Sequence, residues 1–132
     1  MGAGSGRSIL WRGFFLPGHE ACRLSSRGSG WLLAGTAVFT HDRRACRLNY
    51  AIRCDPDWRT RSARVEGWLG DTAVDARIQA DPAGHWRLNG VAQPALEGCI
   101  DLDLNFSPST NLLPIRRLGL AVGEAAEITV AW

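Results

Sequence analysis

Ala45-Cys46-Arg47-Leu48-Asn49-Tyr50-Ala51-Ile52-Arg53-Cys54 alternates cleanly between apolar and polar positions. Cys46, Leu48, Tyr50, Ile52 and Cys54 share one parity, and Arg47, Asn49 and Arg53 share the other. Successive side chains of an extended strand point to opposite faces, so this pattern predicts a strand with one dry and one wet face. Asp55-Pro56-Asp57 ends it on one side and His41-Asp42 on the other, both turn chemistry. Outward from there the same grammar repeats. Trp31 to Phe39 is a nearly continuous apolar run holding Gly35, a residue that in a strand points to a bulge or a close backbone approach. His19 to Ser26 precedes it, closed by Arg27-Gly28-Ser29-Gly30, and Ile9 to Phe15 comes before that, closed by Pro17-Gly18.

Downstream, a strand runs to Leu69 with Arg64, Glu66 and Trp68 opposite Val65, Gly67 and Leu69. Gly70-Asp71 turns the chain into Val74 to Ala80, Asp81-Pro82-Ala83-Gly84 into His85 to Leu88, and Asn89-Gly90 into Val91 to Leu96. Asn-Gly favours a tight hairpin. Glu127 to Trp132 reads as a last strand. About nine short strands at hairpin spacing, with no sustained 3.6-residue stripe, predict an all-β fold: a single antiparallel, strongly curved sheet or a partly open β-barrel. Residues 1–8 form a flexible Gly/Ser leader in this reading, and 9–132 one domain.

Gly98 to Leu118 is the most distinctive stretch. Ile100, Leu102 and Leu104 alternate with Asp101, Asp103 and Asn105, which predicts a half-buried strand with Ile100, Leu102 and Leu104 buried. Ser107 to Pro114 reads as an ordered loop covering one end of the sheet. Pro114 is expected to prevent a quick return to regular structure, and in an extended Ile115-Arg116-Arg117-Leu118 the two arginines point to opposite faces.

A chain of 132 residues with 45% hydrophobic and 21% charged residues is a soluble globular domain, not a disordered one. A net charge of +2 is too small for bulk charge to draw in nucleic acid. The charge is unevenly spread: Arg43 to Arg64 is basic and Val65 to Asp103 acidic, as expected of neighbouring strands neutralising one another on wet faces. All 15 basic residues are arginine, a bias of GC-rich bacterial genomes. Cys22, Cys46, Cys54 and Cys99 form no C-x-x-C pair, which leaves structural zinc and thioredoxin-type redox chemistry unsupported. On one straight strand Cys46 and Cys54 lie about 26 Å apart, beyond disulfide reach. All four read as reduced, mostly buried thiols of a cytoplasmic protein. No secretory h-region is present, and no apolar run approaches the ~20 residues of a membrane span. No nucleophile elbow, P-loop or dinucleotide fingerprint occurs. The three histidines have no acid or serine at motif spacing, so catalysis has no positive support, and neither a metal nor a cofactor is expected.

Several blocks in order carry a resemblance: Gly18-His19-Glu20-Ala21-Cys22, Leu48-Asn49-Tyr50, Asp57-Trp58-Arg59-Thr60-Arg61 and Gly84-His85-Trp86. Leu96 to Leu104 and Ser107 to Leu118 complete it. From about Leu10 to Trp132 the chain resembles the bacterial glycolipid-binding family, a domain of unknown function. The resemblance implies an all-β, barrel-like fold and an amphipathic ligand, a glycolipid or other amphipathic small molecule. Family members carry further strands after this point. A barrel lacking them is expected to expose an edge at Glu127 to Trp132 and to self-associate through it.

Trp58 and Trp86, each beside arginine, have the composition of sugar- and lipid-contacting surfaces, although tryptophan also fills cores. Arg116 or Arg117 suits an anionic head group, because a guanidinium binds phosphate or carboxylate bidentately. With Arg59, Asp101, Asp103 and Asn111 these make up the candidate ligand-binding set. Asp101 and Asp103, about 6.6 Å apart along a strand, match glycosidase separations, but side chains aimed the same way cannot flank a bond. A structural role is expected instead, with Arg116 or Arg59 as the leading donor to one of them. Two other functions stand as alternatives. One is a structural or protein-interaction domain acting through an exposed sheet edge, and the other a glycan or ester hydrolase using Asp101 and Asp103.

Overall fold

The structure, a computed structural model, describes residues 6–132. Eight strands follow one another as a meander: β1 (Arg7–Gly13), β2 (Gly18–Arg27), β3 (Gly30–His41), β4 (Arg44–Cys54), β5 (Thr60–Leu69), β6 (Thr72–Ala80), β7 (Trp86–Leu88) and β8 (Val91–Ala92). Each is hydrogen-bonded antiparallel to the next. The sheet is strongly curved but open, with β1 and β8 at its two edges rather than paired into a barrel. Two-residue turns set the register. Asp42 and Arg43, and likewise Asn89 and Gly90, adopt positive φ, the backbone that lets a tight hairpin follow the twist of its strands.

The parity seen at Ala45 to Cys54 runs through the sheet. Cys46, Leu48, Tyr50, Ile52 and Cys54 are all buried, while Arg47, Ala51 and Arg53 face solvent. Cys22 on β2, Leu33 on β3, and Ala63 and Val65 on β5 complete the same inner face. Burial of one large apolar side chain contributes roughly 1.5–3 kcal/mol, so this face is the main source of stability. Gly35 serves β4 rather than a bulge. It lies opposite Tyr50 across the β3–β4 ladder, and a Cβ there would come within 2.4 Å of the phenol oxygen. The one register shift in that region is at Arg53/Cys54.

A segment from Leu102 to Leu118 lies across the inner face and adds to the core, as do Ala80, Trp86, Cys99 and Ala131. Leu102, Leu104 and Leu113 are buried, and Phe106 stacks on Phe39 at 6.3 Å and meets Tyr50 edge-on at 6.0 Å. Here the sequence reading needs correction. β9 is only Asp101–Leu102, and it pairs in parallel with β10 (Val130–Ala131). Asp101 is 1% exposed, Leu102 and Leu104 are also buried, and Ile100 is half-buried, so the two-residue alternation does not hold across this stretch. The cause is a specific partner: Arg117 neutralises Asp101, which lets the carboxylate turn inward.

Nor does Pro114 stop regular structure. Ser107 caps a 3₁₀ turn at Pro108–Asn111 by accepting from the Ser109 N–H, and α1 (Leu112–Leu118) continues from it. Pro114 sits in the first turn of α1, where a backbone N–H has no partner within the helix and its loss costs little. Gly119, with φ of 57°, closes the helix in the left-handed conformation. Three end segments also differ. β1 begins at Arg7 rather than Ile9, Val91 to Leu96 shortens to two strand residues and a 3₁₀ turn, and Glu127 to Trp132 shortens to β10. β10 joins β9 and not the main sheet, so the edge expected at Glu127 to Trp132 is not an edge of that sheet. The predicted leader falls largely on residues 1–5, outside the described residues. All four cysteines are buried and unpaired.

Candidate functional site

The Leu102–Leu118 segment leaves a cleft between itself and the β1–β3 side of the inner face. This cleft encloses about 380 Å³. Ile9, Trp11, Leu24, Leu33, Leu112 and Ile115 form its walls, with Arg7, Ser109, Asn111 and Arg116 as the polar groups along it. Parity explains the strand contribution: Ile9 lies opposite Cys22 and Arg7 opposite Leu24, so β1 and β2 turn one face into the cleft. The segment's side comes from the 3₁₀ turn and the first two turns of α1.

Arg116 is held by an aromatic platform. Its guanidinium lies 5.3 Å over the Trp58 ring, and Trp58 stacks on Trp31 at 4.6 Å with the planes 14° apart. Such a cation–π contact contributes roughly 0.5–1 kcal/mol where solvent remains close. Trp58 adopts φ of 65°, an uncommon conformation for a bulky residue. Asp55 holds the turn in place: its backbone C=O accepts from the Trp58 N–H, and its carboxylate accepts from the Asp57 and Arg59 N–H groups and from Arg61.

A second, 120 Å³ cavity lies further along the inner face and shares Trp11 and Pro108 with the cleft. Glu20 lines it, with Phe39 and Phe106. Behind it is a buried polar cluster that the sequence reading missed. Glu20 Oε1 accepts from the Tyr50 hydroxyl and from Ser107 Oγ, which in turn lies 2.6 Å from Ser109 Oγ. Burial pushes the Tyr50 phenol well above its ordinary range, and hydrogen bonding with Cys22 and Glu20 adds to the shift. Burial likewise raises the Cys22 thiol, which neighbours Tyr50 and Glu20. One signal was present in the sequence: Glu20 shares the parity of Cys22 and Leu24, so a carboxyl group stands on the dry face of β2.

The predicted set is only partly brought together. Asn111 and Arg116 line the cleft, and Trp58 lies beneath the Arg116 guanidinium. Asp101 and Arg117 form a bidentate pair at 3.1 and 2.7 Å, with the Arg117 side chain only 18% exposed. Arg117 is the donor, not Arg116 or Arg59, because helical geometry separates the two neighbouring arginines and sends one to each task. That pair raises the Arg117 guanidinium above its ordinary value. Asp103 accepts from the Asn105 N–H at 2.9 Å and from Thr110 at 3.4 Å. Both carboxylates are thus engaged in holding the segment. Trp86 is buried, donating its indole N–H to the Cys99 carbonyl, and Arg59 is exposed beside Thr60 and Asp81 in a separate small depression.

Two further cavities lie on the β5–β8 side. One, of about 360 Å³, is walled mainly by apolar residues including Val74, Ile78, Leu96 and Trp132. The other, of about 670 Å³, carries Arg61, Gln79, Arg87 and Gln93 together with His85. His85 lies 3.0 Å from Asp81 and 3.4 Å from Glu97. Its imidazole is raised above 6.5 by the Asp81 hydrogen bond first, while the His85 backbone N–H is the leading cause that lowers Asp81. The acids that sequence spacing did not connect to this histidine reach it through the Asp81 turn and through the loop that follows β8. Among the described residues no group of three or more His, Cys, Asp or Glu side chains is placed to hold a metal ion, and no helix is long and apolar enough to cross a membrane.

An open, curved antiparallel sheet with an amphipathic cleft beneath a loop-and-helix strap defines an all-β domain with one half-covered face. Comparison with known proteins agrees on the architecture. The chain belongs to the family described as "Putative glycolipid-binding", whose sequence profile matches residues 8–132. It is similar to the crystal structure of a DUF1089 family protein from Pseudomonas aeruginosa, with a TM-score of 0.72 and 32% sequence identity. The match covers 98% of this chain and 66% of that one, so the chain spans about two thirds of that protein's length. No curated protein matches it.

Proposed function

We propose that this domain binds one amphipathic molecule, a glycolipid, with its apolar part in the 380 Å³ cleft. The carrying observation is the composition of that cleft: six apolar walls, and the guanidinium of Arg116 fixed over Trp58 beside Asn111 and Ser109. Ligand sites are typically concave, mostly apolar and furnished with a few convergent polar groups, in the range of 300–1,000 Å³. The family description supports a sugar-bearing ligand. Four buried, unpaired thiols support a reducing compartment, and with it a cytoplasmic location. The reaction class this reading implies is binding without turnover.

The test is equilibrium titration with decanoate below its micelle concentration, followed by tryptophan fluorescence, since Trp11 lines the cleft. Saturable binding is expected in the wild type. Leu24→Trp, which fills the cleft, should abolish it, and Arg116→Glu should weaken it at least tenfold. A wild-type protein that shows no saturable binding refutes the reading.

A second reading rests on the β1 edge. Among the described residues β1 is hydrogen-bonded only to β2, and it exposes Ile9 and Leu10 at 49% and 69%. Unpaired strand edges recruit other strands, and we propose self-association here as the alternative mode of action. Sedimentation at micromolar concentration tests it: a concentration-independent monomer excludes it.

A further inference from the structure

Glu20 is 6% exposed, yet no arginine, lysine or histidine forms a salt bridge with it among the described residues. Its hydrogen bonds are one-sided. Both the Tyr50 hydroxyl and Ser107 Oγ reach Oε1, and no donor among the described residues reaches Oε2. Thr60 Oγ1 is the one fully buried side-chain oxygen without a partner in these residues, so Oε2 keeps some contact with open space. Glu20 lines the 120 Å³ cavity together with Trp11, Arg12, His19, Phe39 and Phe106. A buried acceptor left without a donor costs free energy unless water or a ligand supplies one.

We infer that this cavity is the head-group subsite of the ligand: a sugar ring enters by its hydroxyl edge, donates one hydroxyl to Glu20 Oε2, and lays a C–H face against Trp11. The inference rests on the amphiphile-binding reading above. Its chemistry is that of a neutral polyol. An acceptor carboxyl with an open oxygen, amid aromatic rings, matches hydroxyl donors and apolar C–H faces. Arg12 and His19 line the same cavity and add donors for a sugar hydroxyl, while a carboxylate or phosphate would place negative charge beside Glu20. A volume of 120 Å³ corresponds to about four waters, room for one edge of a ring with the remainder at the mouth. Trp11 and Pro108 line both cavities, so a ligand crossing at Trp11 puts its sugar on the Glu20 side and its chain on the Leu24 side. Tyr50 and Ser107 are positioning residues here. They occupy Oε1 and leave Oε2 for the ligand.

The test compares decyl glucoside with decanoate, both below their micelle concentrations, on wild type and Glu20→Gln. The wild type should bind both. Glu20→Gln should weaken decyl glucoside at least tenfold and leave decanoate within twofold, with an unchanged circular dichroism spectrum. Saturation-transfer NMR on the wild type, irradiating the aromatic protons, gives a readout that does not depend on the variant folding: ring protons of the glucoside should receive saturation along with the chain. Equal loss for both ligands, no loss for either, or saturation confined to the alkyl chain overturns the subsite while leaving the cleft reading in place. Failure of the wild type to bind decanoate and glucoside alike overturns both.

Discussion

Replacing Arg117 by alanine removes the cation from a carboxylate that is 1% exposed and leaves Asp101 inside the protein with no counter-charge. Breaking a buried pair from one side costs about 3–5 kcal/mol, because the remaining charge must be neutralised or hydrated in place. Asp101→Ala is the gentler change. The Arg117 side chain keeps 18% exposure and can turn to water, so only the charged hydrogen bonds are lost, about 1.5–3 kcal/mol. The asymmetry follows from burial, and it is the part that a mere count of ion pairs would not give. For a chain of this size about 3–4 °C of melting temperature corresponds to 1 kcal/mol, so Arg117→Ala should melt about 10–20 °C below the wild type. Urea denaturation monitored by tryptophan fluorescence provides the free energies. A double variant should lose clearly less than the sum of the two single ones, since the two residues share one interaction. Arg117→Ala melting within two degrees of the wild type, or melting above Asp101→Ala, would show that the carboxylate is not held as described.

Gly35→Ala places a Cβ 2.4 Å from the Tyr50 phenol oxygen and should destabilise by about 1–3 kcal/mol, with a changed near-ultraviolet circular dichroism signal. A silent substitution would mean that Tyr50 does not lie over this glycine. The His85 ring should titrate by NMR with a midpoint above 6.5, and Asp81→Asn should bring it back toward that value. Because His85 is raised in the folded state, its contribution is present below 6.5 and lost as pH rises through the raised midpoint. Asp81 is lowered, so its contribution is present above 3.8 and lost as pH falls through the lowered value. The pair therefore supports the fold best between those limits, and a midpoint at or below 6.5 refutes the contact. The four thiols should resist a disulfide-exchange reagent at pH 8 until the protein is unfolded, since all are buried and Cys54 is pushed up to about 12 by burial, with Asp55 and Asp101 adding to it. Rapid reaction of any native thiol contradicts that burial.

Strand identity and order were legible in the sequence because both are local properties. Parity at Cys46, Leu48, Tyr50, Ile52 and Cys54 names the dry face of β4, and turns such as Asn89-Gly90 pair each strand with its neighbour in the chain. Burial of Cys46 and Cys54 follows from the same parity. Asn111 and Arg116 could be picked as candidates for the cleft by residue type alone. What lay beyond reach of the sequence were contacts between distant stretches. Ser107 meets Glu20 across 87 positions, a separation at which no periodicity carries information. Whether Arg116 or Arg117 takes Asp101 depends on α1, and α1 forms through Leu113 docking on the sheet as much as through its own seven residues. Local alternation determined the sheet. Only tertiary packing decided which carboxylate turned inward and where the inner face was left uncovered, because pairing a charge and leaving a cavity are properties of what lies opposite a residue, not beside it in the chain.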